Sequence, residues 1–340
     1  MTESPVSLNL VHRPPGGQAI LYQTENRYLG LLEERFGQKF LDYRKAWAQA
    51  ALRADPGPFP LSLDLAINSG CDLACLMCPL PSNPIDRSYR PIKAELYANL
   101  MAQAKEAGLP ALTLGLASEP LLNPQAAHYI ALADRAKVMD IRLGTNGQAL
   151  KPSLINRLLD SGLTRLEISL DAFSPATYAQ IRRGGQLAKL ETSIEYFLNQ
   201  RAKQSQELPL LRLSFLTLPQ NQAELEPFLA RWSGAVDLIS IQKPIWFPGS
   251  RLPKPEAPKN LPPADQASFC QQPWQRLGLD QTGRVWPCCN WYGRDLLDLS
   301  AQTTPITQLW QSPPLKALRQ DLAADRLPPQ CQACAQAGGF

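Results

Sequence analysis

The stretch CDLACLMCP, residues 71–79, places cysteines at 71, 75 and 78, with gaps of three residues and then two. Thiols this close together serve as metal ligands, pair as disulfides, or pack as small buried side chains. The flanking sequence narrows the choice. Just upstream, LSLDLAIN (61–68) has the short apolar texture of a strand. Similar runs follow: ALTLGL (111–116), DIRLGTN (140–146), RLEISLD (165–171), LLRLSFLTL (210–218) and DLISIQK (237–243). Between them, 93–107, 124–138, 152–161, 187–203 and 222–232 read as helices. Strands alternating with helices predict βαβ units and a parallel sheet, with ligands gathered at the carboxyl ends of the strands. The three cysteines fall at such an end.

Bulk composition sets the limits. At 340 residues the chain is expected to form one large α/β domain with a smaller appendage. A net charge of +4, without Lys/Arg runs, gives no nucleic-acid footprint. No apolar run is long enough to cross a membrane, and MTESPVSLNLVHRPPGG lacks the pattern of a signal peptide, so a cytoplasmic location is expected. Thiols stay reduced there, so eight cysteines point to metal or catalysis rather than structural disulfides.

The expected organisation is an N-terminal helical extension (1–60), a βα-repeat domain (61–246), a Pro-rich linker (247–268) and a small cysteine-bearing domain (269–340). Within the extension, Tyr28, Leu32, Phe36, Phe40, Tyr43 and Trp47 form one stripe and predict an amphipathic helix over 28–47, weakened by Gly30 and Gly37. The last domain opens on a hairpin-like LGLDQTGRVWPCC and ends on CQAC. Its Cys270, Cys288, Cys331 and Cys334 are 18, 43 and 3 positions apart. By themselves these four could equally form a zinc site.

Three thiolates beside a strand suit a [4Fe–4S] cluster with one iron left open, and CxxxCxxC after the first strand of a six-fold βα array resembles the radical S-adenosylmethionine (SAM) superfamily. GLASEPLLNP (115–124) is similar to that family's GGEPLL segment, although Ala117 and Ser118 stand where glycines are common. The resemblance implies a partial (β/α)6 barrel in which Cys71, Cys75 and Cys78 hold the cluster and Glu119 receives the methionine ammonium of SAM. It also implies polar contacts to SAM from Thr145 of GTNG and Ser169 of SLDA, a backbone contact to adenine at Met77, and a carboxylate partner in Arg182 or its neighbour Arg183. The four later cysteines resemble a SPASM-type or twitch domain, the auxiliary-cluster module of the family, with Cys270, Cys288, Cys331 and Cys334 as ligands. Seven thiols are then assigned and Cys289 is the spare, although Cys288 and Cys289 could exchange roles.

The implied activity is reductive cleavage of SAM, fed by a flavodoxin- or ferredoxin-like electron donor, and hydrogen abstraction from a second substrate. The expected cofactors are two [4Fe–4S] clusters and SAM. Oxidative modification of a ribosomal peptide is the leading expectation. Dehydrogenation of a sugar or cyclitol, and epimerisation using Cys289 as hydrogen donor, are the alternatives; a structural cluster- or zinc-binding protein is the non-enzymatic one. Gln242 and Lys243, at the end of the sixth predicted strand, are candidate substrate contacts.

Overall fold

A computed structural model describes residues 19–22, 25–50, 55–80, 89–254 and 270–337. The six predicted strands are present as β2 (Ser62–Leu65), β3 (Ala111–Leu114), β4 (Asp140–Thr145), β5 (Arg165–Ser169), β6 (Leu210–Leu216) and β7 (Leu238–Gln242). They lie side by side in chain order, every neighbouring pair parallel. The connecting helices are α3 (Ala94–Ala107), α4 (Ala126–Arg135), α5 (Pro152–Leu159), α6 (Pro175–Ile181) with α7 (Leu187–Lys203), and α8 (Leu225–Trp232). The fold is a six-fold βα array, an α/β partial barrel.

Side-chain alternation gives the sheet two unlike faces. One carries Leu63, Leu65, Leu112, Leu114, Ile141, Leu143, Leu166, Ile168, Leu211, Leu213, Phe215, Ile239 and Ile241, all buried in the core that includes the helices. The opposite, inner face carries Asp64, Thr113, Arg142, Glu167, Arg212 and Ser240 at the intervening positions. Its lower end is closed by two helices, α1 (Glu25–Phe36) and α2 (Gln38–Gln49). Their Tyr28, Leu32, Phe40 and Tyr43 pack on Ala111, Met139, Leu210 and Leu238. The stripe read along 28–47 is therefore the floor of the barrel, but the single helix expected there is two. Gly37 takes φ +58, a left-handed conformation that interrupts α1 and lets the stripe continue on α2.

Three strands outside the repeat extend the sheet to nine. β1 (Ala19–Tyr22) pairs antiparallel with β7, so the N-terminal segment expected to be helical also supplies an edge strand. β8 (Arg276–Leu279) runs parallel to β2, and β9 (Val285–Trp286) returns antiparallel beside it. The hairpin read at 277–289 is thus a continuation of the main sheet. The remaining helices are α9 (Gln272–Gln275), α10 (Ile306–Trp310), α11 (Pro313–Ala323) and α12 (Pro329–Gln336). Of the Pro-rich linker, 255–268 lie outside the described residues. The part before them folds back on the cysteine loop: Arg251 donates its backbone N–H to the Leu76 carbonyl (2.8 Å) and its guanidinium to the Ala74 carbonyl (3.1 Å). No helix among the described residues is long and apolar enough to cross a membrane.

Candidate functional site

The carboxyl ends of β2–β5 carry most of the residues read as functional from sequence. The loop after β2 bears Cys71, Cys75 and Cys78. It is stitched to the segment after α6: the Ala74 N–H donates to the Arg183 carbonyl (2.9 Å) and the Leu76 N–H to the Ile181 carbonyl (3.0 Å). The Cys78 N–H donates to the Cys75 carbonyl (3.3 Å), closing a turn between the second and third thiols. Desolvation pushes the Cys71 thiol up to about 12 and that of Cys78 to about 11. Cys75 is raised for the same reason, and the Arg182 guanidinium, 3.7 Å from its sulfur, draws it back. A metal centre bound here would take these thiols as thiolates.

Glu119 sits at the centre of the neighbouring loops. It is buried, and its carboxylate accepts three hydrogen bonds: from the Leu121 N–H (3.0 Å) and the Thr145 hydroxyl (2.5 Å) on Oε1, and from the Asn146 N–H (2.7 Å) on Oε2. Burial lifts its pKa to about 7 against the pull of these donors. Glu119 thus ties the loop after β3 to the loop after β4. Thr145 is occupied by that bond and accepts one from the Gly147 N–H (2.9 Å). The approach of the two loops depends on Gly115, with φ +133, where a Cβ would come within 2.7 Å of the Gly144 carbonyl oxygen.

Ser169 ends β5 half-buried on the inner face. Met77 packs with Leu216 and Leu252 around buried Leu76, Ile181 and Leu218. Arg182 forms an ion pair with buried Asp171, donating its Nε to Oδ2 at 2.7 Å, while Asp171 Oδ1 accepts from the Leu216 N–H (2.7 Å). The guanidinium is therefore fixed between Asp171 and Cys75. Arg183 is exposed, and so is Lys243, whereas Gln242 is half-buried and donates to the Ser240 hydroxyl (3.3 Å).

Sequence reasoning missed several supports. Asn146 donates to Asp72 Oδ1 (2.7 Å), with its amide 3.7 Å from Cys71 Sγ, so it holds the first cysteine's neighbour. Asn221 donates to the carbonyls of Asp171 and Leu216 (2.7 and 2.8 Å). Glu224 gathers the Phe173 and Ser174 N–H groups and the Ser174 and Thr177 hydroxyls at the start of α6. The SLDA segment exposed Asp171 to notice; nothing local marks Asn221 or Glu224.

A second sulfur cluster lies beyond β8. Cys270, Cys288, Cys331 and Cys334 line one cavity together with Gln272, Tyr292 and Leu296. Burial raises all four thiols, Cys270 and Cys334 to about 12 and Cys331 to about 11. Cys289 does not line the cavity; its thiol is exposed and donates to Gln272 Oε1 (3.0 Å). Among the described residues, no group of three or more His, Cys, Asp or Glu side chains is placed to hold a single metal ion. Soft thiols alone around a shared space fit an iron–sulfur group, whose ligands in proteins are predominantly cysteine thiolates.

Comparison with known proteins agrees with this geometry. Residues 65–206 match the radical SAM superfamily, and residues 270–335 match the SPASM iron–sulfur cluster-binding domain. Among curated proteins, the GTP 3′,8-cyclase of Syntrophomonas wolfei is 33% identical over 135 residues, 38% of this chain and 40% of that protein. A probable GTP 3′,8-cyclase of Methanocaldococcus jannaschii is 26% identical over 166 residues, 48% of this chain and 52% of that protein. The chain therefore spans only about half or less of these relatives. Streptococcus suis SuiB bound to S-adenosylmethionine superposes with a TM-score of 0.63 at 16% identity, covering 92% of this chain and 81% of that one. BtrN in complex with AdoMet and 2-DOIA gives 0.52 at 15% identity, covering 77% and 86%. The two matched domains imply [4Fe–4S] clusters and SAM as cofactors. With a cysteine loop at the carboxyl end of β2 and a four-cysteine cavity beside β8, the chain carries a radical SAM domain over residues 65–206 and a SPASM iron–sulfur cluster-binding domain over residues 270–335.

Proposed function

We propose that this radical SAM enzyme oxidatively modifies a ribosomally made peptide. Cys71, Cys75 and Cys78 would hold the cluster that engages SAM, and Cys270, Cys288, Cys331 and Cys334 an auxiliary cluster. When bound, the first cluster and SAM supply a 5′-deoxyadenosyl radical for hydrogen abstraction. The chain's own part is geometric. Glu119 fixes the loops that Thr145 and Asn146 belong to, Arg182 neutralises charge beside Cys75, and the polar inner wall holds the second substrate. Ser169 and the backbone of Met77 would contact SAM. A flavodoxin- or ferredoxin-like protein is the proposed electron donor.

The observation that carries the peptide reading is the match to SuiB solved with its precursor peptide SuiA: TM-score 0.61, covering 88% of this chain. Dehydrogenation of a small polyol is the second reading, favoured by the hydrophilic inner wall and the likeness to BtrN. Epimerisation would need a hydrogen donor, and Cys289 lies within electrostatic reach of Arg276 and Asp64 on that wall. Anaerobically reconstituted enzyme, given SAM and reductant, should form 5′-deoxyadenosine. It should also remove two hydrogens from a short peptide encoded beside its gene, read by mass spectrometry. Deoxyadenosine formed only with a polyol that becomes a ketone would replace the peptide reading. Solvent deuterium on the peptide, lost in Cys289→Ala, would replace oxidation by epimerisation.

A further inference from the structure

A cavity of about 210 Å³ lies between the β8–β9 hairpin and the loops that follow β2 and β3. Ser69 and Leu80 border it, two residues before Cys71 and two after Cys78. So does Ala117, two residues before Glu119. The cavity therefore adjoins the candidate SAM site, yet nothing in the chemistry above uses it.

Two indoles form its aromatic wall. Trp286 of β9 stands opposite Gly278 of β8 and packs with Ala66 and Leu116. Gly278 makes room for it, since a Cβ there would lie 2.9 Å from the Trp286 Cβ. Trp291 meets Trp286 edge to face, with ring centres 5.9 Å apart and planes at 80°. The Arg294 guanidinium lies over the Trp291 ring at 5.0 Å and holds it in place. Trp286 is only 2% exposed, and its indole N–H has no acceptor. A buried donor left without a partner is costly, so an occupant bearing an acceptor is favoured.

The charged residues of the lining nearly cancel. Arg284 is paired with Asp295 (3.0 Å), which leaves Asp280 to balance Arg294. Asp280 Oδ1 is already engaged by the Thr282 N–H (2.8 Å) and hydroxyl (2.6 Å) and the Arg284 N–H (3.1 Å). A neutral occupant suits such a lining better than an anion. Size sets the other limit: an apolar cavity of about 150 Å³ holds benzene, so this one accommodates one substituted ring and not a nucleotide. We propose that the cavity receives a tyrosine side chain of the peptide substrate, its ring against Trp286 and Trp291 and its hydroxyl accepting from the Trp286 indole N–H. Aromatic pairs of this kind add to what burial alone contributes. The assignment rests on the peptide reading of the function and makes Trp286 and Trp291 specificity-determining residues.

The test is calorimetric binding of acetyl-Gly-Tyr-Gly-amide and its Phe, Leu and Glu counterparts to the cluster-loaded protein with SAM present. The Tyr peptide should bind about fivefold tighter than the Leu peptide and about threefold tighter than the Phe peptide. Trp286→Phe keeps a ring and removes the donor; it should erase the preference for Tyr over Phe and retain that for Phe over Leu. Trp291→Leu should shrink the preference for both aromatic peptides. Equal binding of the Tyr and Leu peptides by the parent protein, including no detectable binding of either, would overturn the proposal. So would a preference for Tyr over Phe that survives in a folded Trp286→Phe protein, or tightest binding of the Glu peptide. If Trp286→Phe does not fold, the ranking in the parent and in Trp291→Leu decides. Peptide turnover indifferent to Tyr or Leu would remove the pocket and leave the peptide function. Tyr-selective binding without turnover of any peptide would remove that function and leave the pocket standing.

Discussion

At the scale of single residues, Glu119 has the most to explain. Its place in GLASEPLLNP singled it out as a ligand for an ammonium group. The structure gives it three protein donors and almost no exposure. A brace and a ligand contact predict different outcomes for Glu119→Gln. The amide would turn its NH2 toward a donor, either Asn146 N–H or the pair on Oε1, breaking at least one buried hydrogen bond. The expected loss of stability is about 1–3 kcal/mol, read by denaturant unfolding, with SAM affinity falling alongside. Unchanged unfolding with weakened SAM binding would show the carboxylate to be a ligand and not a brace. The cysteines were legible because their chemistry and spacing are local. Asn221 and Glu224 were not, because their partners lie about fifty residues earlier in the chain. Spacing also could not choose between Cys288 and Cys289; only the folded turn shows which of them lines the cavity.

At the scale of elements, period-two alternation and helical spacing carried the reading, and the six repeat strands and their main helices fall where those patterns put them. Two features of the repeat and its floor escaped for physical reasons. α6 is a single short helix, started by Ser174 and Pro175 and held by distant Glu224, too brief to show a periodic stripe. The break at Gly37 lies inside an apolar stripe that continues without interruption on both sides, so the stripe alone concealed it. Gly115 shows how much one backbone position between elements can decide. An alanine there must adopt φ +133 and press its Cβ to 2.7 Å from the Gly144 oxygen. Gly115→Ala should therefore push the loop after β3 away from β4 and destabilise the protein by about 1–3 kcal/mol, measured by chemical denaturation. A wild-type midpoint in that variant would mean that the two loops tolerate separation and that the Glu119 brace is not strained by it.

At the scale of the whole molecule, the two sulfur sites share one sheet. β8 pairs with β2 along its whole length, Ser62 with Arg276 through Leu65 with Leu279, and the cysteine loop follows directly from β2. The sequence suggested a linker and a separate small domain; which strand edge the hairpin would use is set by long-range pairing and could not be read from local pattern. This arrangement makes the two sites separable in chemistry but not in scaffold. Replacing Cys270, Cys331 and Cys334 by Ala removes three thiols from the cavity while leaving the β2–β8 hydrogen bonds intact. Small side chains at those positions cost packing around Tyr292 and Leu296, but no strand leaves the sheet. The triple variant should lose about half its iron after anaerobic reconstitution, yet keep SAM cleavage to 5′-deoxyadenosine. The matching triple at Cys71, Cys75 and Cys78 should keep the other half and lose the cleavage. Deleting 270–337 outright is a different experiment: it removes β8 and β9, leaves β2 as the bare edge of the remaining sheet, and should yield aggregated protein rather than a working core. Iron and deoxyadenosine measured on the two triples therefore report on ligation, while the deletion reports on the sheet. If the first triple loses cleavage along with its iron while still folded by circular dichroism, the two clusters are not independent and the assignment of separate roles fails.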